Sequence, residues 1–126
     1  MRWCVCRRAP AGVLLLTLAL VISGCDRPEP PAGLLASAEA RQAGAETFAA
    51  NCAICHGADA DGRGPRREGI DPPPTNLTLP PWSEPANATR TFRAIRDGVP
   101  GTAMPAWRTL GERRIWELVA HITAPK

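Results

Sequence analysis

Residues 51–57 read NCAICHG. Cys52 and Cys55 stand three positions apart, and His56 follows the second directly. The segment before it has helical spacing. Ser37 is the expected N-cap, and Ala40, Gly44, Ala45, Phe48 and Ala49 recur on one face, so the helix runs straight into Cys52. The segment after it is of another kind. Residues 57–86 are crowded with glycine and proline and include DPPPTNLTLPPW, which excludes a long helix and a central strand. A loop of that length in a small domain needs a reason, and wrapping a large apolar ligand is one.

The chain has 126 residues, enough for one domain. Its start reads as a secretory signal. Arg2, Arg7 and Arg8 precede the uncharged apolar run VLLLTLALVI over residues 13–22, which is shorter than the ~20 residues that a membrane span needs. The run closes on Ile22-Ser23-Gly24-Cys25, which resembles the lipoprotein box of bacteria and implies that Cys25 carries a lipid. An ordinary signal with a spare cysteine is the alternative. The expected organisation is a signal over residues 1–24, a lipidated cysteine and proline-rich tether over 25–36, and a folded domain over 37–126.

Removing the signal changes the charge and the cysteine inventory. The whole chain carries 15 Lys+Arg against 12 Asp+Glu, and the surplus of three is the three signal arginines. The domain is therefore neutral, which gives no support to nucleic-acid binding. Cys4 and Cys6 leave with the signal, so only Cys52 and Cys55 remain beyond Cys25, and no disulfide framework is available.

Two further helices are expected, and no strand. NATRTFRAIRDGVPG has Asn87 as N-cap and Ala88, Phe92, Ile95 and Val99 as its buried stripe. GERRIWELVAHIT places Ile115, Leu118, Val119 and Ile122 on one face. The fold class is all-α, with three main helices and long Pro/Gly loops.

Cys-x-x-Cys-His is the attachment motif of c-type haem. The two thiols add to the vinyl groups of a porphyrin edge as thioethers, and the next residue is carried under the ring. Cys52 and Cys55 are the expected covalent anchors and His56 the proximal iron ligand. A zinc site would need a fourth ligand, and a thioredoxin-like pair would need a βαβ setting. Beyond the signal the chain has one methionine, Met104, in the Gly/Pro loop GVPGTAMPAW. Its thioether suits a Met/His pair, which raises the reduction potential. His121, in the last helix, is the rival ligand.

The sequence resembles class I monohaem cytochrome c, the small bacterial kind, over residues 38–124. GAETFAANCAICHG, GRGP, DPPPTNLT, GTAMPAW and ERRIWELVAHI carry the resemblance. It implies that the first and last helices cross at Gly44, Phe48 and Leu118, with His121 where the family usually has an aromatic. It implies that the Pro65 carbonyl accepts the Nδ1–H of His56, and that Trp82 and DPPPTNL line the ring edge, with Trp82 donating its indole N–H to a propionate. The expected cofactor is one covalently attached haem. The expected function is one-electron transfer, not catalysis, on the periplasmic side of a bacterial membrane. The expected partners are donor and acceptor proteins among membrane-bound respiratory components. A subunit of a larger oxidoreductase is the alternative. Arg63, Arg66 and Arg67, and Arg90, Arg93 and Arg96 along one flank of the second helix, are read either as a steering surface for an acidic partner or as a solvated face.

Overall fold

The computed structural model describes residues 27–125. Cys25 and the expected signal lie outside them. Four α-helices follow in order: α1 (Ala38–Asn51), α2 (Ala53–His56), α3 (Ala88–Asp97) and α4 (Glu112–Ile122). Short 3-10 turns occupy Leu34–Ala36, Pro85–Asn87 and Arg108–Leu110, and no strand occurs among the described residues. Nor is any helix among them long and apolar enough to cross a membrane. The all-α expectation holds.

Ser37 caps α1 as its sequence predicts, its hydroxyl accepting from the Ala40 N–H at 3.2 Å. The buried face of α1 is Ala40, Gly44, Thr47 and Phe48. Ala49, expected inside, is exposed and Thr47 is buried, because a run of small residues leaves the face of the helix undecided over a third of a turn. In α3 the buried residues are Ala88, Thr91, Phe92 and Ile95. Val99, expected to extend this stripe, lies beyond the helix and is 36% exposed. Asn87 does not cap α3. Its amide instead donates to Glu84 Oε2 at 2.7 Å inside the preceding turn.

The four apolar residues read from α4 are all buried, and Trp116 and Ala120 join them. Phe92, Ile115, Leu118 and Val119 are the largest side chains with essentially no exposure. Phe92 stacks on Trp116 with ring centroids 4.1 Å apart, which fastens α3 to α4. The most extensive helix contact is between α1 and α4. There Gly44 lies so close to the Glu117 backbone that a Cβ would overlap the Glu117 carbonyl and come within 2.9 Å of His121 Cβ. His121 packs on Phe48, ring centroids 5.3 Å apart. The crossing inferred from the resemblance is therefore built, with an imidazole in place of the usual aromatic.

The expected tether needs correction. Leu34 is buried, and the turn Leu34–Ala36 packs on α4 and α1. Further upstream, Thr89 Oγ1 donates to the Pro28 carbonyl at 3.2 Å. Residues 28–36 are thus part of the domain. Proline content marks the absence of helix and strand, but Leu34 and Leu35 bury apolar surface as readily from a turn as from a helix.

Gly44→Ala tests the crossing. Helix propensity would gain about 1 kcal/mol. The new methyl meets backbone rather than a movable side chain, so the helices must separate at a cost of roughly 3 kcal/mol. The clash wins, and the thermal midpoint should fall by about 10 °C. An unchanged midpoint would show that α1 and α4 can part freely.

Candidate haem site

The backbone explains why glycines follow the cysteine pair. Cys52 ends α1, its N–H donating to the Phe48 carbonyl at 2.8 Å, and α2 starts at the next residue. A helix as short as α2 leaves its last carbonyls without partners. The following loop supplies them. The N–H groups of Arg66, Gly64 and Gly62 donate to the carbonyls of Ile54, Cys55 and His56 at 2.8, 3.1 and 2.7 Å. Gly64 must be glycine for this, since a Cβ there would lie 2.5 Å from the Ile54 carbonyl oxygen and 2.6 Å from that of Cys55.

The loop also orients His56. Gly62 has φ +82°, and its missing Cβ leaves room for the Pro74–Thr75 backbone, whose Pro74 oxygen would otherwise be 2.5 Å away. That approach brings the Thr75 carbonyl to 3.0 Å from His56 Nδ1. A carbonyl only accepts, so Nδ1 carries the proton and the lone pair is on Nε2. The role inferred for the Pro65 carbonyl is thus filled by Thr75. Pro65 is exposed and does not line the cleft, because the loop turns outward there after capping α2.

One predominantly apolar cleft gathers the site. It is lined by Cys52, Cys55 and His56, by Pro72–Pro74 and Trp82 of the long loop, by Ile95 of α3, and by Met104 and Trp107 beyond it. His121 is not among the lining residues; it stands at the helix crossing instead. Trp82 is half-buried, and the Arg90 guanidinium lies over its ring, 4.8 Å from the centroid. Met104 is half-buried, and its N–H donates to Thr102 Oγ1 at 3.1 Å.

Burial pushes the Cys52 thiol up to about 11, and the neighbouring Cys55 adds to the shift. A raised thiol is the reverse of what a reactive redox pair requires. Among the described residues, no group of three or more His, Cys, Asp and Glu is gathered to hold a metal ion. A metal held by side chains alone has no ligand set here. A metal that arrives inside an apolar macrocycle needs only axial ligands, and the cleft offers an imidazole nitrogen and a thioether. The lining, the neutral thiol and the fixed imidazole tautomer fit haem.

Sequence reasoning placed Thr75 only within the DPPPTNL lining and missed its carbonyl as the partner of His56, and it missed the lining contributed by Ile95 and Trp107. Thr75 acts through its backbone, so no residue type announces it. Ile95 was read only as core, yet a helix face that packs on α4 can also border the cleft.

Of the six arginines singled out, Arg96 pairs with Asp97 and Arg63 approaches Asp61 at 3.8 Å, while Arg66, Arg67 and Arg93 are exposed.

No curated protein matches the chain. Among solved structures, a chain of the Kuenenia stuttgartiensis reducing HAO-like protein complex Kustc0457/Kustc0458 is similar, with a TM-score of 0.59 and 22% identity. The similarity covers 68% of this chain and 43% of that one, so this chain spans less than half of its neighbour's length. At this identity it is the fold that is shared. The family model for cytochrome c oxidase, cbb3-type, subunit III matches residues 39–122, from the first turn of α1 to the last residue of α4. With two thirds of its sequence inside that match, and the helices and the cleft inside it too, the chain belongs to this family of c-type cytochrome domains.

Proposed function

We propose that this domain transfers single electrons through one covalently attached haem, with His56 and Met104 as the axial ligands. The observation that carries the reading is the gathering of Cys52, Cys55, His56 and Met104 on a single apolar cleft. When bound, the haem supplies a one-electron iron couple. The residues do the rest. Each of Cys52 and Cys55 forms a thioether, its sulfur bonding one vinyl carbon and its proton going to the other. The Thr75 carbonyl holds the His56 Nδ1–H, which makes Nε2 a stronger donor and keeps the ring from turning. The Met104 thioether would be the second group to hold the iron, which would leave no open position for substrate. The prolines and Trp82 keep water from the ring, which favours the less charged reduced state.

The neighbourhood of the membrane is part of the same proposal. A lipid on Cys25 would stand three residues before Pro28, whose carbonyl is held by Thr89. Three residues reach at most about 11 Å, against roughly 35 Å for a tether running to residue 36. The domain would then ride close on the periplasmic face, at high effective concentration for membrane-bound donors and acceptors. A second reading, a subunit of a larger oxidoreductase, draws on the family match. Co-purification of a stoichiometric partner in mild detergent separates the two.

Three results are expected. Haem should stay with the protein in acidified organic solvent at one per chain, and Cys52→Ala or Cys55→Ala should lower the yield of loaded protein. Extractable haem would remove the thioethers from the account. Met104→Ala should open the ferrous protein to carbon monoxide and lower the midpoint potential, where about 59 mV is a tenfold change for one electron. An unchanged spectrum and potential would move the ligand role elsewhere. A cleavable soluble signal in place of residues 1–25 should release loaded protein with the parent's potential. Lipid-free protein recovered from membranes of the parent strain would refute the anchor.

A further inference from the structure

The loop that carries Met104 leaves α3 at Gly98 and ends at the turn Arg108–Leu110. Its backbone is held at three places. The Val99 N–H donates to the Met104 carbonyl at 3.2 Å, the Thr102 N–H to the Val99 carbonyl at 3.2 Å, and the Trp107 N–H to the Ile95 carbonyl at 3.0 Å. A further tie is made by side chains at the two feet of the loop. Asp97 is the last residue of α3, and Arg108 is the first residue after the loop. Arg108 Nε and Nη2 reach Asp97 Oδ1 at 3.2 and 2.7 Å. Arg96 grips the same carboxylate, Nε to Oδ1 at 3.1 Å and Nη2 to Oδ2 at 2.9 Å. The Arg96 guanidinium in turn lies over the fully buried Phe92 ring, 5.4 Å from its centroid. A path of contacts thus runs from the core through Arg96 and Asp97 to the far foot of the loop.

We infer that Asp97 is a positioning residue for the Met104 ligand, tying the two feet of its loop together so that the thioether stays on the iron. The inference rests on the reading of Met104 as the axial ligand. Partly exposed ion pairs add little to the stability of a whole fold. A loop opens locally at far lower cost than the fold, so the same small contribution weighs more there. The bonds from Arg96, and next those from Arg108, hold the Asp97 carboxyl down to about 2, so the tie persists throughout the working range of pH.

The test uses the haem-loaded protein and two readouts that a merely structural role would not move. These are the sulfur-to-iron charge-transfer band of the ferric state and the rate of carbon monoxide binding to the ferrous state. Asp97→Asn and Arg108→Gln should each weaken the band and speed carbon monoxide binding about five-fold, the most that one exposed pair ordinarily supplies. The double variant should do little more than either single one, since both remove the same tie. The denaturation midpoint should stay close to the parent's. Arg113→Gln, which breaks the Arg113–Glu117 pair on α4, away from the loop, should change neither readout. Unchanged readouts in both Asp97→Asn and Arg108→Gln would overturn the inference, and so would an equal change in Arg113→Gln. Met104→Ala separates this from the reading beneath it. If that variant keeps the band, the ligand assignment falls; if it loses the band while Asp97→Asn keeps it, the positioning role alone falls.

Discussion

The backbones of α1 and α4 touch where Gly44 meets Glu117, and the position of the Cys52–His56 segment at the end of α1 follows from that contact. α1 has no strong apolar stripe of its own, since its buried face consists of Ala40, Gly44, Thr47 and Phe48. It is held by fit rather than by area. The close approach lets Phe48 reach His121 and brings α1 against the buried face of α4. Cys52 caps the far end of the same helix, and Cys55 and His56 follow on the next turn. A shift at the crossing would therefore be carried directly into the attachment segment, because helices transmit displacement with little loss.

The loop from Gly57 to Trp82 solves a second problem, that of a very short helix ending beside an apolar cleft. The carbonyls of Ile54, Cys55 and His56 point where no helix continues, and three backbone N–H groups of one loop satisfy them. The same loop then returns to place the Thr75 carbonyl on His56. Its glycines are needed for approach distance as much as for turn shape. Gly64 sits against the α2 backbone and Gly62 against the Pro74–Thr75 backbone. One stretch of irregular chain thus caps a helix, orients an imidazole and lines a wall with proline, which has no N–H to leave unsatisfied there.

Helix placement and fold class were legible in the sequence, because each is written in residue types at fixed spacing. Ser37 as cap and the stripe of α4 are of this kind, and the short spacing of Cys52, Cys55 and His56 does bring them to one cleft. The misreadings share a cause. Pro65 was given a carbonyl's role by resemblance, but any residue owns a carbonyl, and the chain brings that of Thr75 instead. Leu34 and Leu35 were set aside with the prolines around them, although burial depends on the surface that α4 leaves to be covered. Arg96 was read only as a surface charge and Asp97 and Arg108 were not singled out, since nothing in the order of residues says that one carboxylate closes a loop. Information held by backbone atoms, or by the meeting of distant segments, has no signature in spacing.

The two sides of the site are built to different standards. On one side, His56 lies on a helix whose carbonyls are all engaged, and its ring is fixed by a hydrogen bond from a second segment of chain. Moving it would require breaking several bonds together. On the other side, Met104 lies in a loop between Gly98 and Arg108 that is closed by three backbone bonds, the Thr102 hydroxyl and one shared carboxylate, much of it open to water. Gly98 lets the chain fold back tightly, with the Met104 carbonyl oxygen only 2.9 Å from where its Cβ would be, so the loop is compact without being buried. Local opening follows the number of bonds that must break at once. It should therefore begin on the methionine side and leave the histidine in place. On the proposed reading a carrier would gain from this order of events. Thioethers at Cys52 and Cys55, with His56, would keep the cofactor in the protein through any such fluctuation, and the potential set by the Met104 thioether would return when the loop closes.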